Sequence, residues 1–146
     1  MKAHVGLLAV LTLVGTLGLV QAGDKGQKGF KATCPVSGRA AKANCKTQHE
    51  GFTVHFCCGN CLKAFKKNPD KFAAATNLQL YQTGQIQLKA CPLTGRKLNP
   101  ATKVEFKGVH ICFCCNGCKG RFLRASDQQK LKMVFGNISK GFKKAK

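Results

Sequence analysis

The chain has no tryptophan, one tyrosine, two methionines and five acidic residues among 146. Each shortage removes a class of function. The five carboxylates (Asp24, Glu50, Asp70, Glu105 and Asp127) are far apart in sequence, so the acidic pairs of general acid–base catalysis are nearly excluded on inventory alone. No Ser/His/Asp set and no glycine-rich phosphate loop occurs. With so few other aromatics, ten phenylalanines must do most of the packing. The chain also lacks a long apolar run. Its longest, Val5 to Val20, falls short of the ~20 residues that span a bilayer.

That run has another reading. Lys2 and His4 precede it, and Val20-Gln21-Ala22 before Gly23 has the small-residue pattern of a cleavage site. Residues 1–22 therefore read as a secretory signal peptide, and the expected location is outside the cytoplasm, periplasmic or secreted. No cysteine directly follows the run, so nothing suggests a lipoprotein. The expected mature chain keeps 24 basic residues against the five acidic ones. A balance of that kind attracts anionic surfaces. After export the expected anionic partner is an envelope component rather than nucleic acid.

What is abundant is cysteine: ten residues, eight of them in a repeat. Cys34-Pro35-Val36-Ser37-Gly38-Arg39 returns as Cys91-Pro92-Leu93-Thr94-Gly95-Arg96, and Phe56-Cys57-Cys58-Gly59-Asn60-Cys61 as Phe113-Cys114-Cys115-Asn116-Gly117-Cys118. The offset is 57 residues throughout, without a gap. Internal self-similarity of this kind marks repeated units of structure. Modules this small bury little apolar surface and need disulfides or metal to stay folded.

The expected organisation is a signal peptide (1–22), a Gly/Lys-rich leader (23–32), module one (33–78), a linker (79–89), module two (90–136) and a loose basic tail (137–146). Within each module, alternating β-branched and aromatic residues around Glu50-Gly51 and Lys107-Gly108 predict a β-hairpin. Helix formers follow at Leu62–Lys67 and Lys119–Arg124. A second helix is expected from Pro69 to Ala75, and a longer one from Asp127 to Phe135. The fold class is small α+β. His49 and His110 have no repeat partner and read as surface residues.

Both copies carry Cys-x22-Cys-x3-Cys: Cys34, Cys57 and Cys61, then Cys91, Cys114 and Cys118. Spacing i, i+4 at the start of a helix puts two sulfurs on one face, and the Cys-Pro turn can close over them. Three thiolates select a soft ion, Zn²⁺ or Cu(I). Trigonal Cu(I) needs no further donor; tetrahedral zinc does, and Cys58 and Cys115 are the nearest. His55 and Cys112, equivalent by repeat, are further candidates because strand alternation would turn 55 with 57 and 112 with 114. Cys45 faces Thr102 in the repeat and has no such support. Disulfide stapling is the rival use of the same cysteines, since exported proteins usually oxidise theirs; the basic surface would then be the functional part. A thiol–disulfide oxidoreductase is the catalytic alternative, but its βαβ context is missing. The expectation is a binding protein, not an enzyme. Leu62 and Lys119 stand where c-type haem attachment needs histidine.

These motifs, with Phe65 and Asn68-Pro69-Asp70-Lys71-Phe72, resemble the YHS and TRASH domain superfamily of heavy-metal trafficking, resistance and sensing. Module two departs from it where Ser126-Asp127-Gln128-Gln129 replaces Asn-Pro-Asp-Lys-Phe, and the Tyr-His-Ser segment is absent. The resemblance implies two tandem treble-clef-like modules and metal ligation by the two cysteine triads. The expected partners are the metal ion and either an anionic envelope component or a metal-handling partner protein.

Overall fold

A computed structural model describes residues 30–146; the expected signal peptide and most of the leader lie outside that range. Among the described residues no helix is long and apolar enough to cross a membrane. The described residues form an α+β fold, with four α-helices and three two-stranded antiparallel sheets among them.

The first hairpin joins β1 (Lys42–His49) to β2 (Phe52–Phe56). Its turn residues Glu50 and Gly51 have φ of 50° and 75°, the paired left-handed conformation that matches the twist of a hairpin. Helix α1 (Gly59–Lys67) follows, then a single 3-10 turn (Asp70–Phe72) behind Pro69, then α2 (Ala73–Gln82). A short strand, β3 (Ile86–Leu88), leads into the second copy. There β4 (Asn99–Phe106) pairs with β5 (Val109–Phe113) across Lys107-Gly108, again at positive φ (48° and 75°). Helices α3 (Asn116–Arg124) and α4 (Asp127–Phe135) follow, and then the strand β6 (Phe142–Lys144).

The repeat extends to detail. Both hairpins open with one pair, Lys42 opposite Phe56 and Asn99 opposite Phe113, and then break register before pairing resumes. Phe56 packs on Phe65 and Phe113 on Phe122, each at 5.2 Å between ring centroids. His49 meets Phe65 edge-on at 5.1 Å, as Phe106 meets Phe122 at 5.5 Å. His49 thus fills a phenylalanine's place, half-buried, rather than standing on the surface.

Two segments behave differently from the sequence expectation. The stretch expected as linker completes α2 and supplies β3, and the tail expected to be loose supplies β6, which pairs with β3 in the register Ile86 to Lys144. The two modules also pack together. Leu78, Leu80 and Ile86 join Ile111, Phe113, Phe122, Val134, Phe135 and Phe142 in the larger core, with Phe52 of the first hairpin against it. The smaller core is Cys34, Val54, Phe56, Cys61 and Phe65. Asn77 of α2 donates to the Phe135 carbonyl at the end of α4 (2.8 Å). Gln79, fully buried, binds the His55 backbone on both sides: its Oε1 accepts from His55 N (2.7 Å), and its Nε2 donates to His55 O (2.6 Å) and Thr33 O (2.8 Å).

Candidate metal centres

Each Cys-Pro segment folds into a knuckle closed by the same two bonds. The Cys34 amide donates to Arg39 O (2.7 Å) and Gly38 N to Cys34 O (2.9 Å); the Cys91 amide donates to Arg96 O (2.8 Å) and Gly95 N to Cys91 O (2.7 Å). Gly38 and Gly95 sit at φ of 72° and 74°, a conformation that side chains resist. The turn leaves Cys34 and Cys91 buried with their sulfurs aimed at the start of the following helix.

There the sulfurs converge. Cys34, Cys57 and Cys61 offer Sγ atoms all within 4.8 Å of one another, and so do Cys91, Cys114 and Cys118. The shorter separations are 3.6 Å for Cys57–Cys61 and 3.7 Å for Cys114–Cys118. None of the ten cysteine sulfurs is joined to another in a disulfide here. A fourth sulfur stands beside each group: Cys58 Sγ is 3.7 Å from Cys57 Sγ, and Cys115 Sγ is 3.8 Å from Cys114 Sγ. Cys58 and Cys115 precede the first helical residues, Gly59 and Asn116, and occupy the N-cap positions. Cys115 is exposed and Cys58 half-buried.

The thiols divide by environment. Backbone amides of Cys61 and Asn60, at the positive end of α1, lower the Cys58 thiol together with the neighbouring sulfurs; Cys118 and Gly117 amides do the same for Cys115. Burial pushes Cys91 up, but the Thr94 hydroxyl and the amides of Cys114, Leu93 and Thr94 outweigh it and bring the thiol to about 7. Cys34 is lowered in the same way, against its burial, by Ser37 and nearby amides. Cys61 and Cys118 go the other way. Burial first, then the adjacent sulfurs, push each up to about 12. A cation joining such a set would favour its ionisation.

A hydroxyl completes each site. Ser37 Oγ lies 3.2 Å from Cys57 Sγ, and Thr94 Oγ1 lies 3.3 Å from Cys114 Sγ. Arg39 Nη2 adds a long contact to Cys57 at 3.8 Å. Beside Gly38 or Gly95 in the sequence, Ser37 and Thr94 read simply as turn residues. The signal was present: a hydroxyl recurs at that position in both copies although the residue type changes.

His55 and Cys112 are not members of either close sulfur group. Strands β2 and β5 end at Phe56 and Phe113, so the alternation that would align 55 with 57 stops one residue early. The His55 ring instead meets Phe30 edge-on at 4.7 Å, in a recess with Lys46, Gln82 and Gln85. Cys45 packs against the smaller core. Its repeat partner Thr102 is wholly buried, with Oγ1 2.7 Å from the carbonyl oxygens of Asn99 and Phe113 and accepting Phe113 N at 2.8 Å.

Comparison with family models, with curated proteins and with solved structures finds no match for this chain. The class is therefore defined by the site itself: a small cysteine-rich α+β protein with two clusters that could hold metal ions.

Proposed function

We propose that this chain is an exported metal-binding protein that holds one soft ion, Cu(I) or Zn²⁺, in each of two cysteine sites, for sequestration, delivery or structural use. The observation that carries the reading is the convergence of three sulfurs within 4.8 Å, twice, at repeat-equivalent positions. A disulfide within a triad uses two sulfurs and leaves the third over unless the adjacent Cys58 or Cys115 pairs with it. A thiophilic cation uses all three and allows Cys61 and Cys118, otherwise held as thiols, to ionise. Three donors satisfy Cu(I); Cys58 and Cys115 stand ready as a fourth for zinc. In each site Ser37 or Thr94 would orient the Cys57 or Cys114 sulfur, as hydrogen-bond partners of metal ligands generally do. The resemblance to tandem YHS/TRASH modules of treble-clef type supports the same reading, and the signal-like segment at 1–22 supports export.

Metal analysis with thiol counting tests it. The chain is expected to bind about two ions, one per triad of thiolates. Replacing Cys57 and Cys61 by Ser should remove about half of the bound metal and leave the second site loaded. Unchanged stoichiometry in that variant would sink the assignment. Oxidised thiols without metal, in protein from an oxidising compartment, would instead establish stapling, with the basic surface as the working part.

A further inference from the structure

Beyond the cysteine sites, a basic groove runs along the second module between α3 and α4. Two adjoining recesses, of about 430 and 320 Å³, share Arg121, Lys132 and Met133. Arg124 lines one end, and Lys140 with Leu93 the other. No acidic side chain lines either recess. Among the described residues both ion pairs belong to Asp127, whose partners are Lys107 and Lys130. Arg121, Arg124, Lys132 and Lys140 therefore present their charge to whatever enters.

The repeat shows that this groove belongs to module two alone. At the 57-residue offset Arg121 falls on Ala64, Lys132 on Ala75, Met133 on Thr76 and Lys140 on Thr83; only Arg124 finds a basic counterpart, Lys67. The sulfur positions are kept in both copies, whereas Arg121, Lys132 and Lys140 are cationic in the second only. The groove is bounded by the residues after Cys91 and by the turn of α3 after Cys118, so its occupant would lie against the segments that carry the second site.

We infer that this groove docks an acidic, apolar-bearing segment of a partner protein. Charge complementarity requires an anion, and this chain is poor in them. Residues 1–29 contain a single carboxylate, Asp24, and a second copy brings the same strong positive charge. No aromatic side chain lines the groove, so the base-stacking platform of single-stranded nucleic acid is missing. A polyanionic glycan would satisfy the cations but leave Met133, Leu93 and Ala125 uncovered. A peptide with carboxylates flanking an aliphatic side chain covers both.

Fluorescence anisotropy at physiological salt, on the full chain, tests this with two short labelled peptides, one alternating glutamate with leucine and one glutamate with serine. The Glu/Leu peptide should bind more tightly. The pair Arg121→Glu and Lys132→Glu should weaken it by about tenfold or more, while the charge-matched pair Lys63→Glu and Lys66→Glu on α1 changes it by about twofold. Met133→Ser should erase the preference for leucine. Equal losses in the two charge-reversed proteins, equal affinity for both peptides, or a heparin oligosaccharide that binds more tightly with the same groove dependence would each overturn the inference. None of these readings depends on whether the cysteines hold metal.

Discussion

At the scale of single residues, each cysteine motif contains thiols of opposite character. Cys115 is exposed at a helix N-terminus and its thiol is lowered by backbone amides; Cys118, one helical turn on, is pushed up to about 12. Cys58 and Cys61 repeat the contrast. The thiolate is the reactive form, so a lowered thiol presents more nucleophile at a given pH. Limiting iodoacetamide at neutral pH should therefore label Cys58 and Cys115 well before Cys61 and Cys118, with peptide mass mapping as the readout. Cys91, at about 7 but fully buried, should stay protected by packing. Equal labelling of Cys115 and Cys118 would mean that the protons are distributed otherwise. The three converging sulfurs of each cluster were legible from spacing and repetition. The hydroxyl beside each sulfur was not, because a Ser-Gly or Thr-Gly pair already has a sufficient explanation as a turn. His55 and Cys112 stand outside the two converging groups, because strand alternation does not run past Phe56 and Phe113.

At the scale of elements, α2 does more than its sequence suggests. Its only fully buried polar side chain, Gln79, replaces the strand partner that β2 lacks on its outer edge by pairing with the His55 amide and carbonyl. Substituting Gln79→Leu keeps much of the volume but leaves those groups and Thr33 O without partners. Unmatched buried polar groups cost about 1–3 kcal/mol, so the urea midpoint should fall accordingly; an unchanged midpoint would show that water replaces the amide at no cost. Nothing in the repeat advertises Gln79, since Gly136 stands opposite it. The hairpins, by contrast, were readable from Glu50-Gly51 and Lys107-Gly108, and α4 was expected over Asp127–Phe135, where it is found. The β3–β6 pair was not. Three-residue strands carry too little periodicity, and their partners are joined only through the whole second module.

At the scale of the molecule, a repeat of two similar modules need not give two independent bodies. The larger core takes Leu78 and Leu80 from α2, Ile86 from β3 and Phe142 from β6, and Asn77 ties α2 to the end of α4. Tyr81, the sole tyrosine in a chain without tryptophan, sits at this junction. Its hydroxyl donates to His110 O (2.8 Å), and its ring meets Phe142 edge-on at 5.3 Å. Its fluorescence therefore reports the junction. The thiols of Cys34 and Cys91, both buried, report the two cores separately. Because the junction residues are core residues of module two and abut the first hairpin, unfolding should be one cooperative transition. Tyr81 emission and the exposure of Cys34 and Cys91 to a thiol reagent should then follow one denaturation curve. An earlier exposure of Cys34, with Tyr81 and Cys91 still native, would show that the smaller core opens alone. The shared-core account would then fail, because its contacts across the junction would be too weak to couple the two copies.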